Sequence, residues 1–178
     1  MSRSDSVARD LRMVRDLAAP VSGRVLLVEC DVEGVPVTQG STRLVGARFS
    51  RARVTHEHAA ALRLWRRQVS AAVAAAALVD EPWDGPVRVE VVFYLERSQT
   101  SVRLRRALPS VKPDLDKLAR AVLDALAPRR GSGLLVEDSR VVELAVSKRF
   151  GAACSGAPAT GVTLRVYGLR PAVSGGVA

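Results

Sequence analysis

The stretch KPDLDKLARAVLDALAPRRGSGLLVEDSRVVELAVSK, residues 112–148, changes its hydrophobic period part-way along. In its first half Leu115, Leu118, Val122, Leu123 and Leu126 recur at the spacing of a helix buried on one side. In its last part Val142, Leu144 and Val146 recur every second residue, which predicts a strand with those three on its buried face. Pro113 and Asp114 mark the helix start. Asp114 is placed to cap it, and Asp116 falls in the first turn, where a negative charge meets the positive end of the macrodipole. The segment reads as a helix over 114–127 followed by a strand over 140–148.

Working outward, VRVEVVFYL (87–95) alternates Val87, Val89, Val91, Phe93 and Leu95 against Arg88, Glu90, Val92 and Tyr94, a second strand. Upstream, RVLLVECDVE (24–33) alternates Leu26, Val28, Cys30 and Val32 against Glu29, Asp31 and Glu33. GVPVTQGSTR (34–43) is a Gly/Pro-punctuated connection, and RLVGARF (43–49) is a short partner strand. Thr55 can cap a long helix whose stripe is Leu62, Trp65, Val69, Ala72, Val73 and Ala76. DEPWDGP (80–86) ends that helix, residues 96–111 are a polar basic loop, and a last strand lies at 162–168. The order β-β-α-β-α-β-β predicts an α+β domain, a mixed sheet with two main helices packed on it. Strand order does not follow from the pattern. The domain is expected over 23–170. Residues 1–22 form an extension, with Val7, Leu11, Val14 and Ala18 at helical spacing, and 171–178 form a tail.

The chain has 178 residues with 48% hydrophobic and 25% charged, which excludes wholesale disorder. No apolar run approaches the ~18 residues that span a bilayer, and the first twenty residues lack a secretory apolar block. A cytoplasmic protein without a membrane partner is expected. Lys+Arg number 27 against 18 Asp+Glu, a formal +9. The excess is concentrated: residues 43–67 net +6 and residues 97–130 net +6, so the rest of the chain is negative. Two concentrated basic regions fit a path for phosphates better than scattered solubility charge does. Within the second lie Arg105, Arg106, Lys112 and Lys117, and Lys148 ends the strand that follows. Cys30 and Cys154 are too few for a zinc site and read as reduced thiols.

Acids interrupt this basic region. Asp114 and Asp116 are two residues apart, and Glu137 and Asp138 precede the strand at 140–148. Each has an ordinary structural role open to it, as helix cap or turn residue. Together they could converge on a hard cation, since Mg²⁺ takes one to three carboxylate oxygens and leaves positions for water or phosphate. His56 and His58, two apart at a helix start, point to different sides and form no H-E-x-x-H. Trp65, Trp83, Phe93 and Tyr94 read as core rather than as stacking platforms, and seven aromatics in all do not furnish a single-strand binding surface.

KPDLDKLARAVLDAL followed by LLVEDSRVVELAVSK resembles the core motif of RusA-type Holliday junction resolvases, with pattern K-P-D-x-D-N-L-x-K, D-A-L, a short loop and D-D-S/A-Q-V. The resemblance implies a homodimeric, Mg²⁺-dependent endodeoxyribonuclease that resolves four-way junctions in recombination and repair, with Mn²⁺ able to substitute. It implies Asp114, Asp116 and Asp138 as metal ligands, and Arg120 or Lys117 beside them offsetting transition-state charge. Lys112, Lys117, Arg105, Arg106 and Lys148 would lie along the DNA backbone. Two positions depart from the pattern. Lys117 stands where Asn is usual, and Arg120 where Lys is usual; Arg keeps the charge but does not give up a proton. Two other readings remain open: a non-catalytic binder of branched DNA, and a metal nuclease acting on other branched DNA.

Overall fold

The structure, a computed structural model, describes residues 21–40, 43–45, 53–55, 59–127, 131–151 and 159–171. The extension up to residue 20, His56, His58, Arg129, Arg130, Cys154 and the tail from 172 lie outside them. Strand β1 (Val21–Glu33) is followed by a small hairpin, β2 (Arg43–Val45) and β3 (Arg53–Thr55), and by helix α1 (Ala59–Ala76). Then come β4 (Val87–Leu95), short helix α2 (Gln99–Arg103), helix α3 (Leu115–Leu126), β5 (Val141–Phe150) and β6 (Gly161–Pro171). The main sheet has the order β1-β6-β4-β5, antiparallel except for the β4–β5 pair, which is parallel. The fold is thus α+β with a mixed four-stranded sheet.

Alternation places the core. On β4 every odd residue from Val87 to Leu95 is buried and every even one is half-exposed. The buried face meets Leu62, Trp65, Val69 and Val73 of α1 and Leu118, Ala121, Val122, Ala125 and Leu126 of α3. Both helices therefore cover one face of the sheet. The other face carries ion pairs: Arg88 Nε to Glu90 at 2.7 Å, Arg88 to Glu143 at 2.9 Å, and Arg165 to Glu29 at 2.6 Å. Gly168 of β6 is required by packing. A Cβ there would stand 2.6 Å from the Trp83 ring, which lies across the strand.

Several sequence expectations need correction. Leu26 was expected inward, but a register shift between Leu26 and Val28 turns Leu27 into the core and leaves Leu26 half-exposed. Thr55 is the last residue of β3, and α1 is described over Ala59–Ala76, so the expected cap of that helix lies outside the described side chains. The basic loop contains α2, capped by the Ser98 hydroxyl accepting from Ser101 N–H. Val142 and Leu144 are not buried: they are 61% and 46% exposed, because β5 is the edge strand and α3 covers only part of it.

Cys30, half-buried on β1, has its thiol pushed up to about 11, first by burial and then by the neighbouring Asp31 carboxylate. Its thiolate population at pH 8 is therefore about 100-fold below that of an ordinary thiol. In a Cys154→Ser background, alkylation by iodoacetamide is expected to be slower than for a free thiol by about that factor. Reaction at the ordinary rate would show the site opening to water.

Candidate active site

The end of the sheet where β4 and β5 finish gathers the basic region. β4 runs out into α2 and the 104–113 loop, and Gly151 N–H donates to Leu95 O where β5 leaves the sheet. The Arg97 guanidinium lies 4.6 Å over the Phe150 ring. Arg105 takes the left-handed position after α2 at φ 48°, a place that favours glycine. Its N–H donates to Val102 O, and Arg106 N–H donates to Ser101 O. The turn closes the helix and carries adjacent guanidiniums out of it, Arg105 exposed and Arg106 half-buried.

Lys148 reaches from β5 to this loop. Its ammonium donates to Val111 O at 2.7 Å and Pro113 O at 2.8 Å. Two charge-assisted bonds fix the segment that delivers Asp114 to the start of α3. Arg66 of α1 secures the helix from the other side, its guanidinium bonded to Gln39 and Asp124, while Gln39 N–H donates to Lys117 O at 3.0 Å. Asp124 is thereby a structural tie between α1 and α3.

Asp114 stands at the N-cap position of α3 in extended backbone, yet its carboxylate makes no capping hydrogen bond. Instead it accepts from Lys117 Nζ at 2.9 Å. This pairing holds the Asp114 carboxyl below its ordinary range, with smaller help from the Lys112 and Lys148 charges, and raises Lys117 in turn. A depressed carboxylate favours the folded state at pH above its unfolded value, and that contribution fades as pH falls through the lowered one. In carboxyl-detected NMR, Asp114 is expected to titrate below an ordinary Asp and to move back toward it in Lys117→Asn. An unchanged titration would mean the pair does not persist in solution. Asp116 is exposed in the first turn, and Arg120, also exposed, follows at i+4 on the same face. Lys112 is exposed beside Pro113.

Asp138 is elsewhere. It opens a single 3-10 turn, Asp138–Arg140, immediately before β5. At the C-terminal end of α3, Ser132 N–H donates to Ala125 O and Leu135 N–H to Leu126 O, while Trp83 N–H donates to Leu134 O. The chain thus turns back at that end, and β5 then runs toward the α3 N-terminus, where Lys148 meets Pro113. Asp114 and Asp138 therefore lie toward opposite ends of a twelve-residue helix, which spans about 18 Å. Among the described residues no group of three or more His, Cys, Asp or Glu is placed to hold a metal ion. The three carboxylates expected to meet do not do so within one chain. Glu137, beside Asp138, accepts from Ser139 Oγ at 3.0 Å, and Arg140 pairs with Asp84 at 2.6 Å.

No described helix is long and apolar enough to cross a membrane. A search of curated proteins found no match. A family profile described as endodeoxyribonuclease RusA matches residues 33–165, which takes in α1, β4, the basic loop, Asp114, Asp116, Asp138 and β5. With three-quarters of its length so matched, the chain belongs to the RusA family of Holliday junction resolving endodeoxyribonucleases.

Proposed function

We propose that the protein cuts four-way DNA junctions in recombination and repair, with a divalent cation, Mg²⁺ or Mn²⁺, at the Asp114–Asp116 pair. The observation that carries this reading is the placement of two solvent-accessible carboxylates, Asp114 half-exposed and Asp116 exposed, at the start of α3, within the basic end of the sheet. A backbone phosphate drawn to Arg105, Arg106 and Lys112 would lie beside acids that otherwise repel it, a contrast that a cation at the acids would resolve. When bound, such an ion supplies Lewis acidity and a water of lowered pKa. The chain's own residues do the rest. Lys148 holds the 111–114 backbone in place, Arg120 faces the charge gathering on the phosphate, and the arginines of the basic loop hold the strand without reading bases.

A three-carboxylate cage does not form in one chain, so the ion would have Asp114 and Asp116 as its ligands from that chain, and Lys117 is the counter-ion it displaces. Lys117→Asn is expected to tighten Mn²⁺ binding about two- to fivefold in calorimetry, the value of releasing an exposed ion pair. Equal or weaker binding would remove Lys117 from that role.

The substrate test is a comparison of incision rates on a four-way junction, a flap, a replication fork and a linear duplex in Mg²⁺. The reading predicts the junction cut fastest, with paired nicks in opposing strands. Preference for flaps or forks would reassign the substrate.

A further inference from the structure

Residues 97–113, between β4 and α3, hold five cations and no acid: Arg97, Arg103, Arg105, Arg106 and Lys112. The same stretch carries Val102, Leu104, Leu108 and Val111, four of the nine large hydrophobic side chains exposed among the described residues, at 52%, 54%, 60% and 40%. Apolar side chains gathered in this way and set among charges mark a binding surface. The backbone that bears them is anchored. Ser101, 1% exposed, gives its N–H to Ser98 Oγ, and the Ser98 hydroxyl donates to Ser101 Oγ at 3.0 Å. Pro109 is buried, and Lys148 holds the Val111 carbonyl from β5 at 2.7 Å. These anchors present the apolar side chains to water instead of letting the loop fold them inward.

The charge selects the occupant. Cations without an intervening acid suit a polyanion, and the acidic pair of α3 begins immediately after the segment. A linear duplex gives apolar side chains little to cover, because phosphates and sugars line its outside and its base faces are stacked on one another. At a branch point the last pairs of adjoining arms lose a stacking neighbour, and apolar side chains can cover the faces so exposed. We propose that Val102, Leu104, Leu108 and Val111 pack on the base pairs flanking the branch point, and that this patch distinguishes branched from linear DNA. The inference rests on the reading of the Asp114–Asp116 end as the place where junctions are cut, and adds the element that selects the substrate. The end of α2 shows both components side by side. Leu104 N–H donates to Thr100 O, and Arg105 follows in left-handed backbone at φ 48°, so an apolar and a cationic side chain leave the helix in succession. The cations attract either form of DNA; the apolar contact is available on only one.

The experiment titrates the full chain, in EDTA, onto a four-way junction and onto a linear duplex of matching arm sequence, with 2-aminopurine placed beside the branch point. Wild type is expected to bind the junction more tightly and to change the 2-aminopurine fluorescence as it does so. A variant carrying Leu104→Ser and Leu108→Ser, both at exposed positions, is expected to keep its circular dichroism and sedimentation. It should bind the junction about tenfold more weakly, stay within about twofold on the duplex and lose most of the fluorescence change. Val111→Thr, which keeps the shape of the side chain, is expected to show the same selective loss at about threefold, and carries the test if the double variant is poorly folded. Arg105→Gln with Arg106→Gln is the contrast: affinity for both DNAs should fall together and its salt dependence become shallower. Leu64→Ser, at an equally exposed position on α1, should leave both affinities unchanged. Equal losses on junction and duplex, or an unaltered junction affinity and fluorescence, overturn the role of the patch and leave the cutting of junctions in Mg²⁺ standing. A Leu104→Ser/Leu108→Ser variant that sediments differently from wild type does the same, because the patch then covers protein and not DNA. A wild type that neither prefers the junction nor nicks it in Mg²⁺ overturns both.

Discussion

Phe93→Ala is expected to lower the free energy of unfolding by about 3–5 kcal/mol, most or all of what a domain of this size has to spare. Phe93 is fully buried on β4, which lies between β6 and β5, and its ring faces the layer formed by α1 and α3. Truncation leaves a cavity where sheet and helices meet, and α3 carries the acidic pair. The measurement is urea denaturation followed by circular dichroism: the midpoint should fall with the slope unchanged. Leu78→Ala is the internal comparison, because Leu78 is 65% exposed and its loss should cost within about 0.5 kcal/mol. Equal effects at the two positions would mean that the core is not centred on β4.

Asp114→Asn is expected to cut junction cleavage about 100-fold or more while leaving the fold and junction binding in place. The amide keeps the size of the side chain and removes the charge that holds a cation, which contributes several kcal/mol to the transition state. Folding should be unaffected, since the Asp114 carboxylate caps nothing and Asn is as good an N-cap residue. Binding should hold or tighten slightly, because a negative charge next to the phosphate path is gone. Cleavage within threefold of wild type, at an unchanged melting temperature, would remove Asp114 from the site.

Much of this architecture was legible in local periodicity. The β4 alternation, the α1 stripe of Leu62, Trp65, Val69 and Val73, and the α3 stripe of Leu118, Val122 and Leu126 all point inward as their spacing requires. What was not legible depends on long-range pairing. Nothing in VVELAV says that its strand lies at a sheet edge, so Val142 and Leu144 read as buried although they are exposed. The bulge at Leu26–Val28 arises from pairing with β6, some 140 residues away in sequence, and local alternation is blind to it. The Asp114–Lys117 contact was within reach, being an i,i+3 pair of opposite charge at a helix start. The separation of Asp138 was also within reach. A twelve-residue helix followed by a returning strand carries its two ends about 18 Å apart, at odds with a meeting of the acids inside one chain.

The most direct test of the account is to assemble the protein on a four-way junction in EDTA, then add excess Mg²⁺ and sample the strands over a single turnover. Paired nicks in opposing arms, appearing only after the metal and absent with Asp114→Asn, are the predicted result. A stable complex whose strands stay intact in both Mg²⁺ and Mn²⁺ would contradict it and leave a protein that holds branched DNA without cutting it.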